Sequence, residues 1–285
     1  MTNVESSKHQ PAPDRDRMSD DINGVWAETM RDLISYRYFG TQSVLHDRHH
    51  STGSMPIRSD MRVPGGMLMA PIAIGMLDAA GNNIDRLYHL GLTQIDVHLF
   101  EAGEGVKRVG FDSEVVREAR TQLFTEARIC DEAGGRILGQ GTANWAIINP
   151  TPEGFVYTDP GPGPADEPPM PPLTEVFQAE PLPGGGYVIT HMSPHIGVDT
   201  LHHGSILVVM EAAALDVVDA ELGPGTAQPH MLSCRIIRAG RKGPFKIRSE
   251  LYARNDKVIT CRSTFVDEGR GNEMVAIMLW QAMVA

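Results

Sequence analysis

LHHGSILVVMEAAALDVVDAELG, residues 201–223, decides the fold. From Ile206 to Met210, and again from Ala212 to Leu215, every side chain is apolar, so this helix-length run has almost no polar face. Such a helix must be buried on most sides rather than laid on a surface. Four strand-like segments follow, at about 228–238, 244–255, 257–267 and 273–284, separated by turn-forming residues. The combination predicts an α+β fold in which an antiparallel sheet wraps around one long central helix.

The same order of elements occurs earlier in the chain. GMLMAPIAIGMLDAA, residues 66–80, reads as a helix, and strand-like segments follow at about 91–101, 106–118, 121–131 and 135–148. An offset of 138 places Gly66 on Gly204, Leu77 on Leu215 and Asp78 on Asp216, and an offset of 124 places Glu126 on Glu250. Agreement in the whole element order argues for an internal duplication. Nine of the 20 prolines lie between Pro150 and Pro172, a density that removes backbone donors and predicts a linker. The expected layout is therefore a flexible tail over 1–20, a first unit over 21–149, a Pro-rich linker over 150–173 and a second unit over 174–285. The first unit opens with a further helical stretch, INGVWAETMRDLISYRYFG at 22–40, stopped by Gly40. Pro71 is expected to bend or weaken the helix that contains it. LHDRHHSTG, at 45–53, reads as a loop.

The 25 Lys+Arg against 36 Asp+Glu give a formal charge of −11, which argues against nucleic acid as the main partner while leaving room for a local anion-binding cluster. No apolar run is long enough to span a membrane, and the first residues lack the apolar core of a secretory signal, so the expectation is a cytoplasmic protein without a membrane partner. Cys130, Cys234 and Cys261 have no paired spacing and are expected to be buried, reduced thiols. The group His46, Asp47, His49 and His50 has metal-ligating side chains, but no Cys or Glu in that loop completes a ligand set, so no metal is expected.

His202-His203-Gly204 opening the helix, Glu211 two turns further in, and the later stretch CRIIRAGRKGPFKIRSELYARNDKVITCRSTF together resemble the hotdog-fold acyl-CoA thioesterases, particularly the PaaI-like group. The first half is similar through Pro64-Gly65-Gly66, with Ala73 at the acid position. The resemblance implies a double hotdog, two copies of a long central helix wrapped by an antiparallel sheet. It makes the chain an intrachain pseudo-dimer, with further homo-oligomerisation left open. The implied reaction is hydrolysis of an acyl-CoA thioester at a site between the halves, with coenzyme A part of the substrate and no separate cofactor. The Asn that the family often carries upstream of the turn is replaced here by Ile196-Gly197, with His195 and Asp199 nearby.

The chemistry of these residues suits that reaction. A helix start offers free N–H groups and the positive end of the macrodipole to a developing oxyanion. Gly204, without a side chain, lets a ligand approach the backbone. Glu211, seven residues on, falls on the same helical face and, buried among apolar neighbours, would have a raised pKa suited to a base or nucleophile. Its other reading is a buried carboxylate tied to a backbone or arginine partner, or facing the other half. His202 is a further catalytic candidate. His203, Gly65 and Gly66 are candidates for substrate binding, and Arg238, Arg241 and Lys242 for the coenzyme A phosphates. Two other functions stay open: a hotdog hydratase or dehydratase acting on enoyl or hydroxyacyl thioesters, and a non-catalytic acyl-CoA binding protein.

Overall fold

In a computed structural model of the chain, which describes residues 33–84, 88–150, 161–197 and 199–284, the apolar run at the head of the sequence is a helix and a sheet does curve over it. The helices are α1 (Ile34–Phe39), α2 (Met69–Ile84), α3 (Leu173–Val176) and α4 (His203–Leu222). The strands of the first half are β1 (Gln42–Leu45), β2 (His50–Pro56), β3 (Arg62–Val63), β4 (Gly66–Met67), β5 (Tyr88–Leu99), β6 (Arg108–Glu118), β7 (Gln122–Asp131) and β8 (Ile137–Pro150). Those of the second are β9 (Glu180–Pro181), β10 (Tyr187–Ile189), β11 (Ala227–Ile236), β12 (Phe245–Arg254), β13 (Val258–Asp267) and β14 (Glu273–Val284). Eight of these strands fall within three residues of the segments read from the sequence.

Twelve strands form one antiparallel sheet in the order β1-β2-β6-β7-β8-β5-β11-β14-β13-β12-β10-β9. Its centre is the pairing of β5 with β11, running from Gln94 opposite Arg235 to His98 opposite Met231. Outward from that seam the order β8, β7, β6, β2 on one side matches β14, β13, β12, β10 on the other. The halves are thus related by a local two-fold at the seam. Helix α2 packs on β1, β2 and β6, α4 packs on β12 and β13, and the two helices touch. Alternation along the strands points Ile95, Val97 and Leu99 of β5, and Leu232 and Cys234 of β11, into the core beneath the helices.

Several details differ from the sequence reading. Residues 45–53 are not simply a loop: β1 and β2 form an edge hairpin there, with Ser51 and Met55 buried. HSTGSMP has few β-branched or aromatic residues, so its strand character comes from pairing with β6. The first long helix begins at Met69, and Gly66–Met67 pairs with Arg62–Val63 as a small hairpin. Pro71 therefore lies in the first turn, where its missing N–H has no helical acceptor to lose. The offset of 124 crosses unlike strands: Asp131 opens opposite Val109 as Asp267 does opposite Phe245, so β7 corresponds to β13 and Glu126 is not the counterpart of Glu250. Cys234 and Cys261 are buried, but Cys130, next to the end of β7, is only half-buried.

Of the proposed opening helix, only Ile34–Phe39 is described, and Gly40 ends it in the left-handed conformation (φ 64°). The tail over 1–20, and Trp26 and Met30 of that helical stretch, lie outside the described residues. In the Pro-rich stretch, 161–172 carries neither helix nor strand. It is nonetheless anchored: Asp166 accepts hydrogen bonds from the backbone N–H and hydroxyl of Ser59.

Gly75 marks a close helix–sheet approach on α2. A Cβ there would stand 2.7 Å from the Phe111 ring and 2.8 Å from the Met55 sulfur. Urea unfolding of Gly75→Val should accordingly show a loss of about 1–3 kcal/mol, the ordinary range for overpacking a filled core.

Candidate active site

Glu211 is almost fully buried, and its partner is not the start of its own helix. Oε1 accepts from the Met69 N–H at 2.8 Å and Oε2 from the Ala70 N–H at 2.7 Å, so the carboxylate caps helix α2 of the other half. The Trp280 indole of β14 gives a third hydrogen bond, to Oε1 at 2.9 Å. Burial raises the Glu211 pKa, while its bonds with Ala70, Met69 and Trp280 act in the opposite direction. The anion also faces the positive end of α2.

The lengths of the two helices explain why α2 needs this cap. At the offset of 138, Met69 and Ala70 correspond to Leu207 and Val208, but α4 starts four residues earlier, at His203. The N–H groups left bare on α2 therefore fall inside α4, where backbone carbonyls satisfy them. Ala73 stands opposite Glu211 at the same offset. The shorter helix, α2, thus has no acid of its own to offer the start of α4.

Gly65 and Gly66 belong to the Glu211 end. Pro64 and Gly65 turn the β3–β4 hairpin, with Gly65 at φ +76°, and β4 leads directly into α2. Trp280 is the residue that the sequence reading missed. Its signal was present: the last strand of each half carries one tryptophan, Trp145 on β8 and Trp280 on β14, in matching registers. Trp145 lies between Leu92 and Leu123, and Trp280 between Leu232 and Cys261.

The remaining candidates gather at the start of α4, a separate place. His202 is the N-cap, its Nδ1 accepting from the Gly204 N–H at 3.3 Å and lying 2.8 Å from the Ser35 hydroxyl. Burial pushes its pKa down to about 4, so it is a neutral imidazole near pH 7. His203 hydrogen-bonds the Tyr36 hydroxyl through Nε2 at 3.0 Å and meets the Trp145 ring edge-on. Its pKa is lowered well below the ordinary value, first by burial and then by His202, whose ring centroid is 3.8 Å away. Gly204 is close-packed, but against this chain: a Cβ would collide with Ser35 of α1. The space expected for a ligand over Gly204 is taken by that side chain. The stretch upstream helps to hold α1 there, since the His195 carbonyl accepts from the Ile34 N–H at 2.8 Å.

The basic turn between β11 and β12 also adjoins α4, through the Leu201 N–H donating to the Gly240 carbonyl at 2.8 Å. Buried Asp267 shapes it by accepting three backbone N–H groups, from Arg241, Lys242 and Gly243. Arg241 and Lys242 project as exposed side chains, whereas Arg238 pairs with Glu273 at 2.8 Å. In the His46–His50 hairpin, His46 bonds Thr52, His50 bonds Asp112, and Asp47 accepts from the His49 and His50 N–H groups. Among the described residues, no group of three or more His, Cys, Asp or Glu is placed to hold a metal ion. Nor is any helix among them long and apolar enough to cross a membrane.

The curved antiparallel sheet around a long buried helix is the hotdog fold. The chain is similar over 86 % of its length to 96 % of the tesB protein of Mycobacterium avium subsp. paratuberculosis, at a TM-score of 0.58 and 12 % identity. It matches a 12:0-ACP thioesterase from Umbellularia californica at a TM-score of 0.59 and 11 % identity, covering 85 % of this chain and 96 % of the other. A conserved protein of unknown function with a hot dog fold from Alicyclobacillus acidocaldarius matches at a TM-score of 0.57 and 13 % identity, covering 88 % and 98 %. No protein-family model and no curated protein matches the chain.

The α4 cap makes stability depend on pH with a definite sign. A histidine with an ordinary pKa of 6.5 that falls to about 4 on folding takes up protons in the unfolded chain first. Its contribution is complete above 6.5 and is lost as pH falls toward 4. Asn keeps an N-capping acceptor and does not titrate. Chemical denaturation of wild type and His202→Asn across pH 4–7.5 should show the gap between them narrowing, or reversing in favour of the variant, as the pH drops below about 6.5.

Proposed function

We propose that the protein hydrolyses an acyl-CoA thioester to free acid and coenzyme A at the junction where Glu211 of one half meets the start of α2 in the other. One observation carries this reading: a buried carboxylate lies within 2.7–2.8 Å of two helix-start N–H groups, Met69 and Ala70. A general base and oxyanion donors are thereby held within one small volume. Glu211 takes a proton from water as the water oxygen bonds to the thioester carbon, and the carbonyl electron pair moves onto oxygen beside the N–H groups. Collapse re-forms the carbonyl and breaks the C–S bond. The proton passes from Glu211 to the sulfur, releasing acid and thiol. The names of the structural neighbours, which include thioesterases, support this class of reaction.

The finer reading is a double hotdog, two units over 21–149 and 174–285 joined by the linker over 150–173, forming an intrachain pseudo-dimer in the cytoplasm. The narrower PaaI-like assignment rests on the His202–Gly204 turn together with Glu211 and the later strand–basic turn–strand stretch. That turn belongs to the second helix start, where Ala73 supplies no acid, so His202, His203 and Gly204 enter the proposal as a vestigial counterpart of the working site. Arg241 and Lys242 are proposed to hold the coenzyme phosphates. A second reading, a non-catalytic acyl-CoA binder, is favoured by the complete satisfaction of Glu211 by three donors.

Thiol release from a panel of acyl-CoAs tests the assignment. Glu211→Gln should lower kcat/KM by about 10²–10⁴-fold, as removal of a general base does. Equal rates in both proteins would remove Glu211 from the chemistry, and tight binding of a non-hydrolysable analogue with no turnover on any substrate would favour the binder. Arg241→Ala/Lys242→Ala should raise KM for acyl-CoA and leave KM for the matching acyl-N-acetylcysteamine, which has no phosphates, unchanged. A similar rise for both substrates would end the proposed phosphate role.

A further inference from the structure

The three donors on Glu211 are not equivalent. Met69 and Ala70 offer backbone N–H groups that a thioester oxygen can also use, whereas the Trp280 N–H belongs to a fully buried side chain wedged between Leu232 and Cys261. Among the described residues, Oε2 is held only by Ala70, and Oε1 by both Met69 and Trp280.

The local two-fold provides an internal comparison. In the first half, Trp145 donates its Nε1–H to the Thr125 hydroxyl at 3.2 Å. Thr125 pairs with Ala143, two residues before Trp145, and Ser263 pairs with Met278, two residues before Trp280. A hydroxyl thus stands at the same register in both halves. Beside Trp280 it is used elsewhere, Ser263 donating to the Met210 carbonyl at 3.2 Å and lying 3.1 Å from the Ser249 hydroxyl. The indole N–H turns to a carboxylate in the half that has Glu211, and to the strand hydroxyl in the half that has Ala73.

We propose that Trp280 is the positioning residue of this site: its N–H keeps hold of Glu211 Oε1 when the helix-start donors pass to the substrate oxygen, leaving Oε2 directed at the water whose proton it takes. The proposal rests on the hydrolytic reading above, and it predicts that the carboxylate pivots on the indole instead of swinging free. A merely structural tryptophan would support folding without affecting either the direction or the protonation of Glu211.

The test compares wild type, Trp280→Phe and Trp145→Phe, with Glu211→Gln identifying the Glu211 carboxyl band in difference infrared spectra. Trp280→Phe should lower kcat by roughly 10- to 100-fold, the loss typical when a partner that orients a reacting group is removed, with KM within about threefold. Its Glu211 band should titrate at higher pH than in wild type, because one donor to the anion is gone. Trp145→Phe should leave that titration in place. If Trp280→Phe unfolds, a benzothienyl-alanine at position 280 keeps the fused rings and replaces the N–H by sulfur. Wild-type turnover with unchanged kcat and titration in the 280 variant would overturn the proposal. A titration shift confined to the 280 variant, with no thioester turned over by wild type, would overturn the hydrolytic reading while upholding the grip of Trp280 on Glu211.

Discussion

The antiparallel pairing of β5 with β11 is the constraint from which the rest of the structure follows. It joins two six-stranded arrays into one sheet and, because the strand order outward is the same on both sides, relates them by a local two-fold. Two helices that are apolar almost all round are then buried against the sheet and against each other. In that arrangement a side chain partway along α4 reaches the start of α2. Neither half alone contains both the Glu211 carboxylate and the N–H groups of Met69 and Ala70.

The two halves differ in a physically coupled way. Shortening α2 at its start exposes N–H groups in a dry interior, where unpaired donors cost about 1–3 kcal/mol each. An ionised carboxylate buried there would cost more still without partners. Each defect is the remedy for the other, and Trp280 supplies the third bond. At the start of α4, which is a turn longer, His202 caps the helix and Ser35 fills the space over Gly204, and the α2 residue that matches Glu211 is Ala73. The acid stands on the longer helix and meets the start of the shorter one, whereas the shorter helix carries Ala73 at the matching position.

Much of this was legible in the residues. The unbroken apolar run at 206–210 demanded burial, and the repeated order of segments anticipated the matching strand orders on the two sides of the seam. Glu211 stood out because an acid in an apolar helix needs partners. What one-dimensional spacing cannot carry is which helix start those partners belong to. Seven residues from Gly204 to Glu211 places them on one face of α4, yet the side chain crosses to α2. The candidate list therefore separates into Glu211 with Gly65 and Gly66 at one helix start, and His202, His203, Gly204 and the basic turn at the other. The hairpin at 42–56 was hidden because its strand character comes from its neighbour β6 rather than from its own side chains.

On the hydrolytic reading, the closed carboxylate cap and the reactive site use the same donors, and this favours the transition state over bound substrate. A neutral thioester carbonyl competes poorly with an anionic carboxylate for two helix-start N–H groups, since hydrogen bonds to charged acceptors are the stronger ones. As Glu211 takes the proton from water it becomes neutral and releases those donors, at the moment the carbonyl oxygen acquires the charge. One negative charge stays beside the positive end of α2 throughout, moving from Oε2 to the oxyanion. The α2 dipole therefore needs no reorganisation during the step, and the binding energy it supplies is realised where it lowers the barrier. The burial that raises the Glu211 pKa acts in the same direction, because it makes the carboxylate the stronger base.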